Sequence, residues 1–288
     1  AAQKGIMSKF KNGVEHLYIN GLLSGPKTQF KNVVGNFLFM AMQVPEEFIA
    51  GIYGTGERAI MRAAGKEIDY TKQVYMSDVA HRFTGYSVSF VDAMRAAREA
   101  FVTGQAGDAV NKAEFNTYRT GNIGAVTGGR STAVDNVFAN AMIYLHNVTG
   151  IPTRLLLAGD DFYKVLSQNG ELHAIANRQR KAALAAGMNA KQARDEANAL
   201  AILKQEELDV KSRYDTLMSD TGAIGQAASN FQNTWYGRYI LPFATAPTND
   251  IIRTFERTPL GLLHKEMIGK DAGKRQIRMA RMAFTGVL

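Results

Sequence analysis

The chain has 288 residues, 46% hydrophobic and 21% charged, a balance that excludes global disorder and allows a sizeable core. Cysteine is absent, which excludes disulfides, thiolate metal sites and cysteine nucleophiles, and suits work in both reducing and oxidising compartments. The net charge of +8 is uneven: from Arg253 to Leu288 eight Lys/Arg face three acids, the mark of a segment that meets nucleic acid or an anionic membrane unless it is simply a solvated helix face.

Residues 5–20 mix basic and apolar positions at helical spacing. Ser24, Gly25 and Pro26 then make a cap and first-turn proline, which predicts a helix start. The helix that follows carries Phe30, Val33, Val34, Phe37, Leu38, Phe39, Met40 and Val44, with no charge between Val33 and Pro45. That stretch is shorter than the roughly 20 residues a bilayer span needs, so a helix buried against others, in this chain or a neighbour, is expected. Pro45 before Glu46 and Glu47 predicts a fresh helix with acids in its first turn. Gly51, Gly54, Gly56 and Gly65 are expected to loosen the next region, and a helix to resume near Ser77 and Asp78 and run through Phe101.

The stretch 120–130 is glycine-rich and reads as a loop. Thr132 and Asp135 give a capping-box-like start to a helix ending at Gly150, before Pro152. Asp160 and Asp161 are expected to open another helix. From Glu171 to Asp215 nearly balanced charge predicts long exposed helices with i,i+4 pairing, interrupted after them by Gly222 and Gly225. An aromatic stretch from Trp235 to Phe243 leads into a basic end punctuated by Pro247 and Pro259. No run alternates as a strand does, so the expected fold class is all-α: an elongated multi-helix assembly segment with little or no sheet. Three regions are expected. Residues 1–150 form an N-terminal helical region ending after the glycine-rich loop, 151–240 long charged helices, and 241–288 basic helices leading to an apolar continuation. The opening at Ala1 and the apolar helix still building at Leu288 lead us to expect a segment of a longer protein.

Candidate chemistry is thin. Gly124 and Gly129, followed by Arg130 and Ser131, have phosphate-loop spacing, but arginine replaces the lysine and no apolar strand precedes them, which favours an ordinary loop. The acid pairs Glu46/Glu47, Asp160/Asp161 and Glu206/Glu207 are neighbours on helices, pointing about 100° apart, a poor arrangement for acid–base hydrolysis. Helix starts account for the first two pairs. His16, His81, His146, His173 and His264 show no metal-ligand spacing. Uncharged amides form a ladder instead: Gln29, Asn32, Asn36 and Gln43 lie close to one helical face and suit helix packing or a wet lumen. Asn136, Asn140 and Asn147, and Gln226, Asn230 and Asn233, repeat the pattern and fit a solvent face equally well. In the basic end, Arg253, Arg257, Lys274, Arg275, Arg278 and Arg281 are the candidates for contact with DNA or lipid phosphate, with Ile277, Ala280 and Phe284 as an adjoining apolar strip.

Three blocks carry a resemblance. The first is Leu22–Leu23–Ser24–Gly25–Pro26–Lys27–Thr28–Gln29 with Asn32 and Asn36. The second is Gly150–Ile151–Pro152, Arg154 and Asp160–Asp161–Phe162–Tyr163–Lys164. The third is Leu241–Pro242–Phe243, Pro247–Thr248–Asn249 and Glu256–Arg257–Thr258–Pro259–Leu260. In this order, over about 22–260, the chain resembles the internal virion (DNA-ejection) proteins of short-tailed bacteriophages and the related large polyvalent phage proteins. Thr245–Ala246 departs from the arginine–threonine pair often found there, which weakens the case for a phosphate contact at that spot. The resemblance implies a structural virion protein, not an enzyme, with no cofactor and no catalytic residue to carry over. It implies packaging in the virion interior, exit with the genome, and oligomerisation into a conduit for genome delivery across the host cell envelope. The partners implied are copies of itself, other internal virion proteins, non-specific double-stranded DNA and the host inner membrane. Two other classes stand beside it: a helical fragment of a virion-carried nucleic-acid-processing enzyme, which needs clustered carboxylates for metal ions, and a membrane-surface binding module.

Overall fold

The computed structural model describes residues 18, 20–104, 150–216, 219, 222–234, 236–241, 245–263, 265–269 and 271–287. Among them every regular element is helical and none is a strand, so the chain is all-α. The elements are α1 (Pro26–Ala63), a 3-10 turn (Tyr70–Lys72), α2 (Met76–Thr103), α3 (Ile151–Ala185), α4 (Ala190–Ile202), α5 (Gln205–Asp215), α6 (Gly222–Gln232), α7 (Gly237–Ile240), α8 (Thr245–Glu256), a second 3-10 turn (Pro259–Leu263), α9 (Lys265–Ile268) and α10 (Ala272–Val287). The glycine-rich stretch 120–130, the phosphate-loop-like Gly124–Ser131 and the amides Asn136, Asn140 and Asn147 lie outside the described residues.

Several starts and stops follow local chemistry. Helix α1 begins at Pro26 as expected, because a first-turn proline gives up no needed N–H. Asn189 caps α4 by accepting from the Gln192 amide at 3.0 Å, and Gly187 precedes it with a φ of 91° that favours glycine. Asp271 caps α10 through the Lys274 amide at 3.1 Å. Glu206 and Glu207 do sit in the first turn of α5.

Other expectations are corrected. Pro45 does not restart a helix: α1 runs through it unbroken, and Glu46 and Glu47 are mid-helix and buried. Asp160 and Asp161 likewise lie inside α3 and are buried. Gly51 and Gly54 do not loosen the chain. They let α1 touch the segment entering α2, where a Cβ on Gly51 would sit 2.8 Å from Met76 Cα. Glu171 and Asp215, at the two ends of the stretch expected to be exposed, are both buried.

The chain divides into two compact units, each drawn from three separate stretches: 1–35, 94–162 and 229–243, and 36–93, 163–228 and 244–288. In the first unit, neutral polar bonds join distant segments. Gln29 Nε2 donates to the Pro152 carbonyl at 3.0 Å, Thr153 Oγ1 to Asn20 Oδ1 at 2.7 Å, and Tyr18 Oη to the Tyr239 carbonyl at 2.6 Å. Leu23, Ala100 and Leu157 are its buried apolar side chains among the described residues.

The second unit has an interior of another kind. Its apolar clusters are small: Ala50, Val74 and Ala280 with Ile49 and Ile277, and Ile175, Ala201 and Leu208 with Leu172 and Ala176. Along α2 the buried stripe reads Asp78, Arg82, Gly85, Ser89 and Ala93, at spacings of four and three that keep one face of a helix. The opposite positions Met76, Phe83, Phe90 and Val91 are exposed. Helix α1 repeats this, burying Asn36, Gln43, Glu47, Ala50, Gly54 and Arg58 while Phe37, Phe48 and Ile52 stand outside. Gly85 and Gly170 mark where α2 crosses α3 backbone to backbone: a Cβ on Gly85 would lie 2.8 Å from the Asn169 carbonyl carbon and 2.9 Å from Gly170 Cα.

Candidate functional site

The second unit's polar interior is the chemical centre of the molecule. Its first part joins α1, α2 and α3. Arg82 Nε donates to Glu47 Oε2 at 2.8 Å, and its Nη2 reaches both Glu47 and Glu171. Arg178 Nη1 donates to the other Glu171 oxygen at 3.1 Å and its Nε to Asp78 Oδ2 at 2.9 Å. Asn177 donates to Asp78 Oδ1 at 2.6 Å and Ser77 Oγ at 2.9 Å. Asp78 also accepts from the Tyr75 amide at 3.1 Å, so one carboxylate caps α2 and anchors α3. Burial alone would raise the Glu171 carboxyl, but Arg82 and Arg178 outweigh it and hold it well below its ordinary value. The same carboxylates, against an opposing desolvation, push the Arg178 guanidinium up.

A second part joins α1 to α3 and α5. Gln43 Nε2 donates to Asp215 Oδ1 at 2.7 Å, Lys211 Nζ donates to the same oxygen at 2.7 Å and also to Gln43 Oε1, and Ser167 donates to Asp215 Oδ2. A third lies against α10. Gln276 is fully buried and fully engaged: its Oε1 accepts from the Val74 amide at 2.9 Å, and its Nε2 donates to Glu57 at 2.8 Å and Gln73 at 2.7 Å. Arg58 donates to the Val74 carbonyl at 3.1 Å and stacks on Tyr75, whose hydroxyl burial pushes up to about 12.

The fourth part gathers the basic end. Arg257 Nε donates to Glu46 Oε1 at 2.8 Å, and Arg281 Nε lies 3.4 Å from Glu46 Oε2. Arg281 also donates to Glu256 at 3.3 Å, Arg278 to Glu266 at 2.7 Å and Glu256 at 3.4 Å, and Tyr214 Oη to Glu256 at 2.9 Å. Arg275 pairs with Glu57. Arg253 is buried with its guanidinium carbon 4.1 Å from the Tyr214 ring centre.

These positions correct the surface reading of the C-terminal cations. Arg253, Arg257 and Arg278 are buried; Arg281 is largely covered and held by two carboxylates, and Arg275 is partly covered and paired with Glu57. A guanidinium already held by an internal carboxylate is not presented to an external phosphate. Of the six candidates only Lys274 is exposed. Among the six candidates the three buried cations are arginines and the exposed one is a lysine, but residue type alone is no general signal, since Lys164 is buried and Arg95, Arg98 and Arg194 are exposed. Of the ladder amides, Gln29 and Gln43 bond to other helices and Asn36 is buried; the Asn32 side chain is outside the described set.

Nothing in this arrangement is a metal centre: among the described residues no group of three His, Asp or Glu side chains is placed to hold an ion. Among them too, no helix is long and apolar enough to cross a membrane. The polar interior ties the helices together, and several large apolar side chains of α1 and α2, among them Phe37, Phe48, Phe83 and Phe90, stand outside it. No family model matches the chain, and neither a curated protein nor a solved structure is significantly similar to it.

Proposed function

We propose that the chain is a structural assembly segment whose apolar outer faces pack against copies of itself and against other helical chains. The single observation that carries this reading is the inverted distribution of side chains on α1 and α2. Phe37 is 54% exposed and Phe90 52%, while arginines and glutamates fill the interior beside them. Exposed apolar rows of this kind mark interaction surfaces. The three sequence blocks add the biological setting: a segment of a phage ejection protein that, after leaving the virion, oligomerises into a conduit for genome delivery across the host envelope. DNA or lipid contact in this conformation then falls to exposed cations such as Lys274, not to Arg253, Arg257 or Arg278.

The test is analytical ultracentrifugation of the wild type and of a Phe83→Ser/Phe90→Ser variant, followed by electron microscopy of the assembled species. The wild type is expected to sediment as an oligomer with a central channel. The variant is expected to remain folded, within about 0.5 kcal/mol of wild-type stability per substitution, and to lose assembly. A wild type that stays monomeric at high concentration overturns the reading, and vesicle binding without self-association would favour the membrane-surface module instead.

A further inference from the structure

In the second unit, α4 carries a hollow and a projection close together. The hollow is a surface groove of about 220 Å³ between the C-terminal end of α3 and α4. Ala182, Ala183, Ala186, Met188 and Leu200 make its apolar walls, and Glu196 brings a carboxylate to it. That carboxylate is exposed and has no partner among the described residues. The projection is the turn from α4 into α5. Ile202 is 65% exposed there and Leu203 78%, the most exposed large apolar side chain among the described residues. Lys204 comes next, its ammonium 2.9 Å from Glu207 in an exposed pair.

The two features match in size and charge. An apolar cavity of about 150 Å³ already holds a benzene-sized group, so this groove has room for a leucine side chain. The chain cannot fill it with its own Leu203. That residue lies three positions past Leu200 at the end of an intact helix, where the Lys204 amide bonds the Ala201 carbonyl at 3.1 Å, and folding it back would unwind the last turn. A second copy can fill it. Where a projection and its hollow lie close together on one surface, a two-fold axis between them lets each copy fill the other. Lys204 follows Leu203 directly, so the same insertion brings an ammonium to the unpartnered Glu196. The existing pair of Lys204 with Glu207 is a surface contact of the kind that holds a lysine only weakly.

We propose that two copies of the chain pair through this corner, Leu203 of each entering the α3–α4 groove of the other and Lys204 meeting Glu196. The contact rests on the reading of the chain as an assembly segment and gives it a surface separate from the outer faces of α1 and α2. A corner of a few side chains is smaller than the roughly 800 Å² per partner of a stable interface, so it acts together with those faces.

The chain has no cysteine, so single introduced thiols report on the contact without background. Ala186→Cys places one in the groove and Leu203→Cys one on the projection, both at exposed positions. The two whole-chain variants, mixed and oxidised with copper phenanthroline, are expected to form a mixed disulfide at least about tenfold faster than Ala186→Cys mixed with Ala59→Cys on α1, because pairing raises the effective concentration of the thiols. Ile202→Cys is the second reporter, since it leaves the leucine in place. Ala182→Leu, added to the Ala186→Cys chain, fills the groove and is expected to remove the gain. Glu196→Lys or Lys204→Glu, carried by both chains, is expected to slow the cross-link by about threefold or more, and the two together to restore it. A mixed disulfide no faster than the α1 control with either reporter, a gain that Ala182→Leu leaves unchanged, or charge reversals that do not compensate each overturns the proposal. A wild type that sediments as an oligomer without forming the cross-link loses this contact and keeps the assembly reading. A cross-link that forms while Phe83→Ser/Phe90→Ser assembles like the wild type keeps this contact and removes the α1 and α2 faces from assembly.

Discussion

Arg82 and Arg253 are both almost wholly buried in the same unit, and they are kept there by different means. Arg82 lies between two carboxylates, Glu47 and Glu171, in a group where two arginines meet three acids. Arg253 lies between two aromatic rings, Phe39 and Tyr214, and none of its side-chain nitrogens has an acceptor among the described residues. The contrast teaches that burial of an arginine does not by itself mean an ion pair. Where the acid is missing, the ring stack holds the group in place without satisfying its donors.

The largest effect should come from breaking the carboxylate-held arginine. Arg82→Met leaves Glu47 buried without its cation and is expected to cost about 3–5 kcal/mol in urea unfolding. Arg253→Met strands no carboxylate and should stay within about 1 kcal/mol of the wild type. Equal losses would erase the distinction between the two arginines.

A smaller effect tests the helix crossing that brings Arg82 to Glu171. Gly85→Ala places a methyl against the Asn169 carbonyl, backbone that cannot swing aside, and should cost about 1–3 kcal/mol by chemical denaturation. Gly56→Ala, in the same kind of helical setting but with nothing within 4 Å, should be neutral or stabilising by up to about 1 kcal/mol. A tolerated Gly85→Ala would mean the crossing is looser than described.

The smallest difference is read in acid. Burial would raise the carboxyls of Glu171 and Glu256, but Arg82 and Arg178 around the first, and Arg281 and Arg278 around the second, hold both below the ordinary 4.5. A depressed folded-state value means the contribution is complete above 4.5 and is lost as pH falls from there toward the folded-state value. The wild-type Tm should therefore drop below about pH 4.5. Glu171→Gln should start lower at neutral pH and show a shallower acid limb. Parallel limbs in circular-dichroism melts from pH 7 to pH 3 would remove Glu171 from the linkage.

Helix content was legible because local signals are local: Ser24–Gly25–Pro26 opens α1, and the helix expected to resume near Ser77 and Asp78 is α2, which begins at Met76. The interior was not legible, because its partners are far apart in the chain. Arg257 and Glu46 are separated by 211 positions, and charge summed over 253–288 reads as a basic surface because two of the pairing acids, Glu46 and Glu57, come from α1. The apolar row expected to be buried against helices of this chain or a neighbour is not covered within the chain: Phe30, Val33, Phe37 and Leu38 are all exposed, while α1 buries Asn36, Gln43, Glu46 and Glu47 instead. The amide ladder was the better guide: Gln29 and Gln43, uncharged on an apolar helix, do bond to other helices.

Glu46 and Glu47 are neighbours in the middle of an unbroken helix, and each serves a different arginine group. Adjacent helical side chains diverge by about 100°, so the two bonds act as a pair of pins set at an angle on one axle. Rotating or sliding α1 by a single residue would withdraw both acids from their arginines at once. The helix therefore has one setting about its axis, and Phe37, Phe48 and Ile52 inherit it. The directions in which the apolar side chains of α1 face outward are thus keyed from within, by two glutamates that are themselves buried.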